Sequence, residues 1–219
     1  MTQEALITAT IGFVKETLKD AEGGHDWFHI ERVYKNTLLI AKEEACDLFI
    51  ASLGALLHDI ADAKFHGGDE TVGPRLASDF LTSHAVSPKV VTHVCNIIKH
   101  ISFKNSLDKE KDRFHSTELA VVQDADRLDA IGAIGIARAF NYGGFKNRAL
   151  HHPDIPPQLA MSKSEYKKSE APTINHFYEK LLLLKDKMNT KTGQKIAASR
   201  HQYMLQYLAQ FHGEWNGER

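Results

Sequence analysis

Apolar residues fall at helical spacing along most of this chain, and that regularity narrows what it can fold into. Ile7, Ile11, Val14 and Leu18 recur at offsets 0, 4, 7 and 11, and so do Val90, Val94, Ile97 and Ile101. Phe177, Leu181, Leu184 and Met188 repeat the pattern, and Ile196, Met204, Leu208 and Phe211 lie on one side of a final segment. Such spacing paints a stripe down one face of an α-helix. No stretch sustains the period-two alternation of a half-buried strand. Ser87-Pro88 joins an N-cap serine to a proline at the first helical position, and Ser116 and Thr173 mark further starts. The spacing predicts helices near 3–20, 26–43, 47–60, 69–84, 88–101, 116–140, 173–188 and 191–212. The expected fold class is all-α, a helical bundle.

Two segments break the pattern. Residues 62–69 contain Gly67-Gly68 and read as a loop. Residues 141–172 hold Gly143-Gly144, Pro153, Pro156, Pro157 and the cations Lys146, Arg148, Lys163, Lys167 and Lys168. A loop of that length inside a compact domain is usually functional or mobile, and a plain surface loop is the competing reading. No composition shift or repeat divides the 219 residues, so a single domain over 1–219 is expected.

Charge excludes some roles. With 27 basic and 28 acidic residues the formal charge is −1, which gives no basis for coating nucleic acid or a membrane surface. No apolar run reaches membrane-spanning length, and Met1-Thr2-Gln3-Glu4 does not open a signal peptide. Cys46 and Cys95 lack a close-spaced motif and read as reduced, buried thiols. A cytoplasmic location is expected.

The chemistry is concentrated in a few polar residues set in apolar surroundings. His58-Asp59 closes the run Ile50-Ala51-Ser52-Leu53-Gly54-Ala55-Leu56-Leu57. A fixed imidazole and carboxylate are costly to bury, and a metal ion satisfies both. His29 shares a helical face with Val33 and Ile40. Leu119, Val122, Asp126, Asp129 and Ala133 follow offsets 0, 3, 7, 10 and 14, which places Asp126 on the apolar stripe and turns Asp124 away from it. Two imidazoles and two carboxylates suit Mn²⁺, Fe²⁺, Co²⁺, Ni²⁺ or Zn²⁺, and Mg²⁺ less well. The alternative is a hydrogen-bonded His-Asp network within the core.

The order His29, His58-Asp59, Asp126 resembles the signature of the HD-domain metal-dependent phosphohydrolases. His25-Asp26-x-x-His29-x-x-Arg32-Val33, Leu56-Leu57-His58-Asp59-Ile60, His100-Ile101-Ser102-Phe103-Lys104 and the run from Gln123 to Gly132 resemble a bacterial subgroup of small stand-alone HD hydrolases. Some members of that subgroup are described as nucleotide (pyro)phosphohydrolases. The resemblance implies an HD-type bundle with its metal site between helices. The metal-site core would span about 25–138, with C-terminal helices 173–212 packed on it. It implies the metal ligands His29, His58, Asp59 and Asp126, and one divalent ion, with manganese favoured. Between His58-Asp59 and Asp126 there is no adjacent His-His pair such as the two-metal branch carries.

Related enzymes place a catalytic acid, usually glutamate, where this chain has Asp62. A further helical turn beyond His58 would bring Asp62 beside the metal, to position water or shuttle its proton. Glu70 is the alternative. Arg32, Lys64, His93, His100 and Lys104 are the candidate phosphate contacts, with Arg127 a further one. A salt bridge for Arg32 and edge-of-core positions for the two histidines are the competing readings. The expected function is hydrolysis of a nucleotide, a triphosphate giving monophosphate and pyrophosphate. The alternatives are a nucleoside 5′-monophosphatase and a regulatory, ligand-binding HD domain with little turnover. The expected partner is a small phosphate-bearing substrate, with no nucleic acid and no membrane, acting on a monomer or homodimer.

Overall fold

Side chains at the start of the spaced segments set where the helices begin. Thr2, Asp26, Asp47, Ser116 and Thr190 each accept a hydrogen bond from a backbone N–H two or three residues on, satisfying donors that a helix start leaves open. Pro88 occupies the first turn of its helix after Ser87, as the sequence predicts, although the serine side chain makes no cap bond. The computed structural model describes residues 1–21, 26–61, 69–101, 114–159, 161 and 169–219. Among these residues there are nine α-helices, one 3-10 helix and no strand. The fold is all-α.

The helices are α1 (Gln3–Thr17), α2 (Trp27–Ala41), α3 (Leu48–Leu57), α4 (Val72–Ser83), α5 (Pro88–His100), α6 (Thr117–Asp129), α7 (Gly132–Phe145), α8 (Thr173–Glu179) and α9 (Lys191–Trp215). The 3-10 helix spans Leu181–Lys187. The chain divides into two compact units, Met1–Asp126 and Arg127–Arg219.

The first unit is built around α3, which is buried from Ile50 to Leu57 and packs against α1, α2 and α5. A helix apolar on all sides belongs in the interior. A methyl group added at Gly54 would meet the Ile97 side chain at 3.1 Å, so α3 and α5 approach closely there. Ile30, Val33 and Ile40 of α2, Leu81 of α4 and Val94 of α5 complete that core. In the second unit α9 packs on α7 and on the 3-10 helix, which also contacts α8. Its core includes Leu128, Ile174, Phe177, Leu181, Met204 and Leu208.

Three of the boundary differences change the architecture. The segment predicted as one helix over 116–140 is two, α6 and α7, with Ala130 and Ile131 between them. Gly132 has φ +75°, a left-handed conformation that costs glycine little and stops a helix running through. The segment predicted over 173–188 changes to a 3-10 helix after Lys180, whose φ of −143° leaves the helical region. The third helix ends at Leu57, earlier than residue 60, so His58 caps it and Asp59 lies beyond it. Cys46 and Cys95 are free and half-buried rather than fully buried, and burial pushes both thiols up. No helix among the described residues is long and apolar enough to cross a membrane.

Candidate metal centre

Asp26 caps α2 by accepting from the backbone N–H of His29 at 3.0 Å, which fixes the first turn that carries the imidazole. His29 then lies on the buried face shared with Val33 and Ile40. His58 follows directly on buried α3, and both histidines are almost fully enclosed. Asp126 comes from the last part of α6. Among the described residues, His29, His58 and Asp126 form a group whose ligand-type atoms all lie within 4.8 Å of one another.

The Asp126 Oδ1 atom stands 3.6 Å from His29 Nε2 and 3.9 Å from His58 Nε2. The imidazole centroids are 5.4 Å apart, with the rings tilted by 67°. Those separations are too long for hydrogen bonds. Two donors each about 2.1 Å from a metal ion stand about 3.0 to 3.4 Å apart, so the two Asp126–histidine separations exceed that range by only a few tenths of an ångström. His58 Nδ1 lies 2.8 Å from the Ala55 carbonyl oxygen. A proton on Nδ1 donating to that carbonyl leaves the Nε2 lone pair facing His29 and Asp126. The donor set therefore fits a divalent ion of the kind that accepts imidazole and carboxylate together.

The burial of Asp124 and Asp126 differs from what the apolar stripe predicts. Asp124 is fully buried, whereas the Asp126 side chain is 39% exposed. Asp129 does lie on the buried face, where it pairs with Arg138 at 2.5 Å. Ala133, the last residue of that stripe, is exposed because it falls on a separate helix. Asp126 joins the histidines because its carboxylate faces an accessible space, not because it is enclosed.

Other expected site residues have varied positions. Asp59 is half-buried beside His58 in sequence and makes interactions of its own. Its carboxylate is not among the three converging groups. The α-helix ends at Leu57 and one further turn follows, closed by the Ile60 N–H on the Leu57 carbonyl oxygen; Asp62, Lys64 and Lys104 lie outside the described residues. Lys163, Lys167 and Lys168 lie outside them too. Glu70 is exposed near the start of α4. Arg32 is half-buried, one turn beyond His29 on α2, and is engaged in contacts.

His93 and His100, seven residues apart on α5, both lie against the Phe114 ring. His93 Nε2 is bonded to Ser116 Oγ at 2.9 Å and stands 3.2 Å from Glu118, at the start of α6. Glu118 in turn accepts from the Asp47 backbone N–H, and these bonds hold its carboxyl below the usual range despite burial. His100 Nδ1 stands 2.8 Å from the Asn96 carbonyl oxygen. Arg127 donates to the Lys187 carbonyl oxygen.

Two supporting residues escaped the sequence reading. Asn36 donates from Nδ2 to the Ala125 carbonyl oxygen at 3.3 Å, tying α2 to α6 beside Asp126. Gln123 donates to the His100 carbonyl oxygen at 2.9 Å. Asn36 carried a signal, since it lies seven residues beyond His29 on an otherwise apolar face.

Known proteins share this arrangement of sequence and fold. Residues 27–131 match the family described as HD domain. The uncharacterised protein YpgQ of Bacillus subtilis strain 168 is 38% identical over 200 residues, covering 90% of this chain and 88% of its own. An HD-superfamily hydrolase from Bacillus thuringiensis superposes with a TM-score of 0.79 at 42% identity, over 98% of this chain and 99% of that one. The structure of B. subtilis YpgQ in complex with ADP superposes with a TM-score of 0.76 at 35% identity, over 98% and 97% of the two chains.

Proposed function

Since the chain belongs to the HD family of metal-dependent phosphohydrolases, we propose that its substrate is a nucleotide, cleaved from triphosphate to monophosphate and pyrophosphate. The convergence of His29, His58 and Asp126 carries the hydrolytic part of this reading. The ADP complex of YpgQ supports the nucleotide part, because ADP joins a base, a sugar and a phosphate chain in one ligand.

Each residue receives a definite role. His29, His58 and Asp126 hold one divalent ion, manganese favoured, with Asp59 as a fourth ligand. When bound, such an ion supplies Lewis acidity towards a phosphoryl oxygen and acidifies water near neutral pH. Ala55 keeps the His58 tautomer that presents Nε2. Asp62 positions the attacking water and takes its proton. Arg32 and His100 stabilise negative charge on the phosphoryl oxygens, with Lys64 and Lys104 as further cations. His93 is committed to Ser116 and Glu118 and serves to hold the start of α6.

The test is a product-resolved screen of nucleoside mono-, di- and triphosphates with Mn²⁺, Co²⁺ and Mg²⁺. Pyrophosphate release from triphosphates is expected. Orthophosphate release from monophosphates alone would replace this reading with a 5′-monophosphatase. If no nucleotide turns over with any of the metals, the nucleotide proposal fails.

A further inference from the structure

The second unit contains a cavity of about 700 Å³ lined by Tyr142, Lys146, Asn147, Arg148, Ser169 and Glu170. That volume falls in the range that accepts a small organic ligand. The chain builds it by stopping α7 abruptly. Lys146, Asn147 and Arg148 donate their backbone N–H groups to the carbonyls of Tyr142, Gly144 and Gly143, so the last helical turn is satisfied internally. Asn147 takes a left-handed φ of +52° and folds the chain back. Arg148 is thereby returned over the Tyr142 ring, 5.6 Å from its centroid.

The cations here are organised differently from ordinary surface charges. The Lys146 ammonium lies 5.0 Å from the Phe145 ring centroid and 5.8 Å from that of Tyr142. The Arg148 guanidinium is fixed by donating to the Ser169 carbonyl oxygen at 2.6 Å. That bond uses one of its about five N–H donors. A helix C-terminus attracts a cation only weakly at the surface. That effect does not account for two cations gathered on one exposed tyrosine beside an open cavity. Glu170 is the one carboxylate among the lining residues.

We propose that this cavity binds a nucleoside polyphosphate, with Lys146 and Arg148 on the phosphate chain. Two cations against one carboxylate favour an anion, and a forked guanidinium suits phosphate oxygens. Tyr142, 52% exposed, offers an aromatic surface, while Asn147, Ser169 and Glu170 supply donors and an acceptor for sugar hydroxyls or a base amino group. Glu170 disfavours a bare phosphate ion. The proposal rests on the nucleotide reading above but uses none of the metal-binding residues, so it requires binding without metal.

The whole 219-residue chain in EDTA is titrated calorimetrically with ADP and, separately, with inorganic pyrophosphate. ADP is expected to bind without metal and to bind more tightly than pyrophosphate. Lys146→Ala should weaken ADP at least about tenfold, and Lys146→Arg should restore most of the loss. Lys146 is exposed, so its variants keep the fold even if Arg148→Ala disturbs the bond to Ser169. No ADP binding in EDTA, or unchanged affinity in Lys146→Ala, overturns the proposal. Metal-dependent turnover of nucleotides is measured on the same samples. Turnover without metal-free binding removes this site alone, and metal-free binding without turnover removes the hydrolytic reading alone.

Discussion

His58 Nδ1 lies 2.8 Å from the carbonyl oxygen of Ala55, three residues earlier in the chain. A C-terminal helical carbonyl has no intrahelical partner, so the imidazole satisfies it and is itself oriented. The same bond that closes α3 thus turns Nε2 towards His29 and Asp126. Helix termination and ligand presentation are one local event.

Metal binding to this group should stabilise the folded chain. With free Mn²⁺ at about a hundredfold its Kd, linkage adds about 2.7 kcal/mol, visible as a rise in Tm. Asp126→Ala should abolish that rise and lower metal-dependent turnover at least about a hundredfold. Thermal unfolding with and without Mn²⁺, beside metal content of the purified variant, measures both. An undiminished Tm rise in Asp126→Ala would exclude the carboxylate as a ligand.

Asp129 is fully buried and its charge is met by Arg138, with Arg200 also nearby and donating to the Leu128 carbonyl oxygen. Removing the partner that touches it leaves the buried Asp129 carboxylate compensated only by more distant charge such as Arg200. Arg138→Met should therefore cost about 3 kcal/mol in denaturant unfolding. Replacing both members, Arg138→Met with Asp129→Leu, should recover most of that loss. A double variant as unstable as the single one would show that the pair does more than neutralise Asp129.

The two aspartates of α6 also show what the sequence could and could not reveal. Apolar spacing located His29 correctly, because Val33 and Ile40 fix the phase of one uninterrupted helix. Leu119, Val122 and Asp129 of the α6 stripe are buried as the spacing predicts, but Asp126 on the same face is part-exposed. Ala133 falls outside that stripe, because Gly132 breaks the helix before it. Burial selects carboxylates with structural partners, such as Asp124 and Asp129, whereas a carboxylate that meets a metal and substrate must be reachable. The pairing of Asp129 with Arg138 depends on the turn between α6 and α7, so spacing alone could not reveal it. The helical class was legible because it depends on local periodicity; the break at Gly132 depends on one backbone angle.

Acid should weaken the second unit before it affects much else. Burial, with smaller contributions from Lys180 and Arg148, lowers the His176 pKa to about 4. Burial also lowers His151, helped by His212 and His152. Each histidine is thus harder to protonate when folded than when unfolded, where the pKa is about 6.5. Their contribution is complete above pH 6.5 and is lost as pH falls towards 4, with His176 accounting for no more than about 3 kcal/mol. Tm measured from pH 7.5 to pH 4 should fall across that window. His176→Leu should flatten the fall, and an equally steep fall in the variant would exclude His176 as its source.

Two glycines of α7 should respond oppositely to alanine. A Cβ at Gly135 would lie 2.2 Å from the Ala130 carbonyl oxygen, a backbone atom held in the turn between α6 and α7. Relief requires that turn to move, so Gly135→Ala should cost at least about 2 kcal/mol, as overpacking of a rigid site does. A Cβ at Gly144 meets nothing within 4 Å. There alanine removes unfolded-state freedom within a helical position, and Gly144→Ala should gain about 0.5 kcal/mol. Urea unfolding of both variants against the parent chain measures the difference. If Gly135→Ala proves as stable as the parent, the close approach of Ala130 does not hold this turn in place.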